Sequence, residues 1–190
     1  MPASRSSDRR LPRVLAAFGL FAVVEYGAWF AVILYAYDVG GVGLAGLVGV
    51  VQLVPAALLA PPLGSLGDRL PRGTALCGAY AVESVLLCLV ALLLGADAPV
   101  ALVVTASALA TTTVSVARPV HYAALPALSR TPAALVRGNS ASGVLDGLGI
   151  FVGPVVAGVL SAGAGPATAL GLAAGAIALA AVLTLRLRLP

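Results

Sequence analysis

The strongest constraint on this chain is where its positive charges fall. Its 190 residues contain no lysine, and its eleven bases are all arginine. They cluster at the ends of apolar runs of about 20 residues, each long enough at 1.5 Å per residue to cross about 30 Å of hydrocarbon as a helix. Six such runs are expected, over about 14–37, 42–63, 74–94, 100–120, 139–161 and 167–185. Alternating crossings then gather Arg5, Arg9, Arg10, Arg13, Arg69, Arg72, Arg118, Arg130, Arg137, Arg186 and Arg188 on one face, and leave Asp38 and Asp97 on the other. The positive-inside rule makes the arginine face cytoplasmic and puts both termini there. With 61% hydrophobic and 9% charged residues, the composition excludes a soluble domain. The expectation is an all-α, multi-pass protein of the plasma (cytoplasmic) membrane, with a cytoplasmic tail over 1–13 and a six-helix bundle over 14–190.

The connectors carry the punctuation. Asp38-Val39-Gly40-Gly41 reads as a tight turn. Gly64-Ser65-Leu66-Gly67-Asp68-Arg69-Leu70-Pro71-Arg72-Gly73 reads as a charged hairpin loop between the second and third helices, with Pro71 ending any helix. Residues 121–138 form the longest connector, in which Thr131-Pro132 reads as an N-cap followed by Pro at the first helical position. A short helix lying along the membrane surface is expected to follow it. Gly43, Gly46 and Gly49 give the second helix a smooth face toward a neighbour. Hydroxyls crowd the fourth helix (Thr105, Ser107, Thr111, Thr112, Thr113, Ser115), where they bond to the preceding turn or line a polar path.

Three carboxyls fall inside the expected spans: Glu25, Glu83 and Asp146. Charge near the bilayer centre costs about 2.5–3.5 kcal/mol, so such residues face protein or water. Glu25, with Tyr26 and Trp29 nearby, has two readings. It lines a central cavity, taking a proton or contacting a cationic substrate, or it is a hydrogen-bonded structural acid. Glu83 reads more as structural, with the cavity role as its alternative. Arg118 lies at a depth where it can clasp Asp146. His121 receives no role, and Cys77 and Cys88, about 16 Å apart along one helix, read as core filler. No metal cluster, nucleophile–base set, phosphate loop or nucleic-acid stripe is present in the sequence, so neither an enzyme nor a cofactor is expected.

The loop pattern Gly-x-Leu-x-Asp-Arg-x-x-Arg resembles the loop between helices two and three of the major facilitator superfamily. Pro71 stands where that family usually has Gly, and Gly73 where it has a further base. Two further stretches agree. Gly149-Ile150-Phe151-Val152-Gly153-Pro154-Val155-Val156-Ala157-Gly158 is similar to the Gly-x3-Gly-Pro-x2-Gly-Gly segment of helix five in drug and proton antiporters, with Ala157 replacing a Gly. Arg118-Pro119, Leu125-Pro126 and Leu135-Val136-Arg137-Gly138-Asn139-Ser140 resemble the four-to-five connector of bacterial exporters.

The resemblance covers the six-helix N-terminal half of a family that normally has twelve. It implies one bundle of two inverted three-helix repeats. It also implies a secondary active transporter of half length, exporting a small hydrophobic or cationic compound by proton-coupled alternating access. In that reading Glu25, Tyr26, Trp29 and Glu83 line the cavity. Gly64, Gly67, Asp68, Arg69 and Arg72 form a cytoplasmic gating loop. Gly149, Gly153, Pro154 and Gly158 form a helix-five hinge beside the Asp146–Arg118 clasp. The implied partners are a small-molecule substrate, membrane lipid, and a second copy or a second six-helix half. The alternative is a truncated or non-transporting membrane subunit or scaffold.

Overall fold

The computed structural model describes residues 10–129, 131–185 and 187, without the side chains of Leu66 and Asp68. The 1–9 tail with Arg5 and Arg9, and likewise Arg130, Arg186 and Arg188, lie outside the described residues. Helix α1 spans Arg10–Arg69 and breaks at Gly40 (φ −141°, ψ 15°) and Gly41 (φ 68°, ψ −163°). The second of these conformations is left-handed, which glycine reaches without a Cβ clash. The two arms, 10–39 and 42–69, run antiparallel. A Cβ on Gly49 would lie 3.9 Å from Ile33 Cδ1, and Ile33 and Gly49 are equally far from Gly41 along the chain. The remaining helices are α2 (Arg72–Gly95), α3 (Val100–Thr112), α4 (Val114–Leu128), α5 (Pro132–Ala164) and α6 (Pro166–Thr184). Five helical stretches are long and apolar enough to cross a membrane: the folded α1, α2, α3 with α4, α5 and α6.

Each pairing rests on close contacts. The first arm of α1 packs on α5 through glycines, since a Cβ on Gly149 would lie 2.7 Å from the Ala22 carbonyl carbon and one on Gly27 2.9 Å from Gly153 O. Only hydrogen fits there, so the two backbones approach closely. The second arm packs on α3 and α4, where Ser115 Oγ donates to Ala56 O at 3.2 Å. Helices α2 and α6 form the third pair, with Ser84 Oγ donating to Ala174 O at 2.9 Å and Gly73 directly beneath Leu187 O. Phe18, Phe21, Leu76, Tyr80 and Ile177 are fully buried between these pairs.

Several expectations are corrected. The loop over 64–73 is helical through Arg69, and only Leu70 and Pro71 interrupt it. Gly67 is a packing residue, because a Cβ there would lie 3.0 Å from Val120 Cγ2. The long connector shrinks to the link around Ser129. His121, Ala124 and Leu125 are fully buried, and that burial carries α4 on to Leu128. No separate surface helix follows. Thr131 Oγ1 accepts from Ala134 N at 3.2 Å, and from this cap α5 runs unbroken to Ala164. Residues 133–140 contain no breaker except Gly138, which packs near Leu125 and Leu11.

The expected fourth helix divides at Thr113. Thr111, Thr112 and Thr113 each donate back to a carbonyl of the preceding turn, at 3.0, 2.6 and 2.7 Å, a habit that bends helices. Gly43 and Gly46 meet nothing within 4 Å, so most of the smooth face of the second arm is unpaired among the described residues.

Candidate functional site

Arg118 stands on α4 ten residues, about 15 Å, from its Leu128 end. Its guanidinium joins three elements. Nη1 donates to Asp146 Oδ1 on α5 at 2.7 Å. Nη2 donates to Glu25 Oε2 on the first arm of α1 and approaches Tyr26 OH at 3.4 Å. The fork of Arg donors suits two acceptors at fixed angles, which a Lys ammonium would not reproduce. The aromatic rings of Phe18, Phe21 and Tyr26 surround it, with centroids 6.0, 5.8 and 5.8 Å from Cζ. The expected clasp with Asp146 is present, and Glu25 belongs to it as well. Because α5 begins at Pro132, Asp146 lies fourteen residues into its helix, deeper than the sequence reading placed it.

One turn away, His121 stacks on Phe18 at 3.8 Å between ring centroids, and its Nε2 lies 2.8 Å from Ser142 Oγ. The sequence reading assigned His121 no role. Its partner Ser142 sits one turn before Asp146, so α4 and α5 are tied by two rungs in register, His121–Ser142 and Arg118–Asp146.

Beyond the clasp opens a cavity of about 290 Å³. Glu25, Tyr26, Trp29 and Glu83, expected as one group, all line it. So do three residues that the sequence reading did not single out for the site: Gln52 from the second arm of α1, and Ser107 and Thr111 from α3. Gln52 Nε2 donates to Ser107 Oγ at 3.3 Å, and Ser107 Oγ donates to Val104 O at 2.9 Å. A signal for Gln52 existed, since it is the only glutamine in the chain and interrupts a long apolar run. The other walls are apolar, which gives the usual composition of a small-molecule site: a hydrophobic pocket with a few fixed polar groups.

The other expected residues lie apart from this cavity. Gly64, Gly67, Asp68 and Arg69 occupy the last turns of α1, and Arg72 opens α2; the side chain of Asp68 is outside the described set. Gly149 and Gly153 form the seam with α1, while Pro154 is carried inside an unbroken helix. A Cβ on Gly158 would make only an ordinary contact with Phe30 Cε1, at 3.8 Å. Cys77 and Cys88 are free thiols. No group of metal-binding side chains is found among the described residues.

A family model described as Major Facilitator Superfamily matches residues 14–190. No curated protein matches the chain, and no solved structure does.

Proposed function

The chain belongs to the major facilitator superfamily, and on that premise we propose that it is a secondary active transporter coupling proton movement to export of a small compound by alternating access. The superfamily consists of multi-pass membrane transporters that handle small molecules in lipid. The observation that carries the finer reading is the cavity beside the clasp. It lies among the long apolar helices, is otherwise apolar, and holds the two carboxyls Glu25 and Glu83. Ionisable groups at such depth mark substrate and proton pathways.

The packing supports an inverted-repeat reading. If the two arms of α1 are counted separately and α3 with α4 as one crossing, there are six crossings. The close pairs are then first with fifth, second with fourth, and third with sixth. Exchanging each crossing with the one three places on maps the first pair onto the second and the third pair onto itself, as two inverted three-helix repeats require. Orientation is supported by Arg10, Arg13, Arg69, Arg72 and Arg137, which all belong to one end of the bundle. Gly138 near Leu11 and Gly73 beneath Leu187 tie that end together. That end is cytoplasmic by the positive-inside rule. The turn from α1 to α2, with Asp68, Arg69 and Arg72, is the gate on that side, and the Gly149–Pro154 stretch of α5 is the segment that rocks. A second six-helix bundle, from another copy or a second chain, supplies the facing wall.

The test is solute flux in vesicles under an imposed proton gradient. Glu25→Gln should abolish proton-coupled flux while leaving membrane insertion intact; unchanged coupling would remove Glu25 from the mechanism. Asp68→Asn should slow the cycle or weaken bundle association. If neither changes, the turn is only a hairpin.

A further inference from the structure

Three polar atoms on the cavity residues have no hydrogen-bond partner: Trp29 Nε1, Gln52 Oε1 and Glu83 Oε2. They come from three separate helical stretches, the two arms of α1 and α2. Gln52 is 1% exposed and Glu83 3%. A buried polar atom without a partner retains its full desolvation cost, and native interiors contain few of them. Three converging on one cavity specify the groups of a missing occupant: a donor for Gln52, a partner for Glu83 and an acceptor for the Trp29 N–H.

Charge narrows the occupant further. The described spans hold three carboxyls, on Glu25, Glu83 and Asp146, against the single guanidinium of Arg118. That guanidinium is divided between Glu25 and Asp146, one nitrogen to each. Glu83 therefore has no ion-pair partner among the described residues. The groups around it offer none. Glu25 is a second acid, Tyr80 on the same helix is neutral, and Thr113 spends its hydroxyl proton on Ala110 O. Ser84, on the side facing α6, bonds to Ala174 O. The apolar walls formed by Val32, Leu53 and Leu87 fit the body of an amphipathic molecule, and the indole face of Trp29 attracts cations.

We propose that the cavity binds a small organic monocation with N–H donors at its charged end, an apolar body and one hydrogen-bond acceptor. The N–H groups pair with the Glu83 carboxylate and Gln52 Oε1, and the acceptor takes the Trp29 N–H. This rests on reading the cavity as the transport site. A buried carboxyl without a counter-charge keeps its proton. The arriving cation takes that proton's place, and the proton passes to solvent.

Trp29 is the only tryptophan in the chain, so its fluorescence reports the cavity directly. The purified chain in detergent micelles is titrated with 4-methoxybenzamidinium and, separately, with its neutral isostere 4-methoxybenzamide. The expected result is saturable change with the cation and at least about tenfold weaker binding of the amide. Glu83→Gln and Gln52→Leu should each weaken the cation by about tenfold or more. Calorimetry in two buffers of different ionisation heat should find about one proton released per cation by the native chain, and none by Glu83→Gln. Equal binding of the amide, full-strength binding by Glu83→Gln, or no saturable change with either compound would overturn the proposal. If Glu83→Gln fails to fold, Gln52→Leu and the amide comparison decide. Vesicle flux of another solute without binding here would remove this site and leave transport standing; binding without any flux would do the reverse.

Discussion

The Arg118 clasp and the cavity share Glu25 and the same stretch of bundle, yet they treat polar atoms in opposite ways. In the clasp one guanidinium satisfies two carboxylates on two helices. In the cavity Trp29, Gln52 and Glu83 each present an atom with nothing to bind. A closed network resists removal of any member, because what remains is an unpaired buried charge. An open set has no such dependence. The clasp therefore holds α1, α4 and α5 together, and the cavity is the part shaped for something from outside.

Substitutions can break that contrast, and the largest effect is expected at its centre. Arg118→Leu leaves Glu25 and Asp146 facing each other without a cation, and should lower stability in detergent by about 3 kcal/mol or more. A thermal or denaturant midpoint close to that of the native chain would show that the clasp is not structural. Next is Gly153→Val, which opens the clasp mechanically without altering its charge. A Cβ there would lie 2.5 Å from Val23 O, so about 2 kcal/mol should be lost to overpacking. Gly46→Val, where nothing lies within 4 Å, is the matched control and should shift stability by about 0.5 kcal/mol or less.

Asp146→Asn should cost about 1.5 kcal/mol, since one charge-assisted hydrogen bond is weakened while Glu25 still balances Arg118. The smallest effect belongs to the cavity. Gln52→Leu removes an orphaned acceptor and should leave stability within about 0.5 kcal/mol of the native chain, or raise it. A loss comparable to that of Arg118→Leu would make the cavity part of the same scaffold and dissolve the distinction.

Sequence reading reached the helical membrane class because run length and charge placement are one-dimensional properties. It also gathered Glu25, Tyr26, Trp29 and Glu83 as one group, since an acid inside an apolar run is conspicuous wherever it sits. It failed where burial overrides local signals. Gly67 and Gly138 read as loop residues, but their missing side chains make room for Val120 and Leu125. Pro126 lies inside α4 because the apolar residues before it are buried. The joining of Glu25 to Arg118 could not be read, because depth along a helix does not give rotation about its axis. Asp146 was placed too near the membrane surface for a related reason: the start of α5 was set seven residues late.

The clasp also has a consequence in time. Glu25 and Arg118 are 93 residues apart in the chain, so the acid is synthesised and delivered to the bilayer well before its counter-charge. Until α4 arrives, the first arm of α1 carries a carboxyl that the membrane accepts only at a cost of about 2.5–3.5 kcal/mol. Asp146 follows 28 residues after Arg118 and completes the set. Insertion thus ends with a lock that only a correctly threaded α4 and α5 can close, and a chain that stops short of Arg118 remains marked by an unpaired acid within the bilayer.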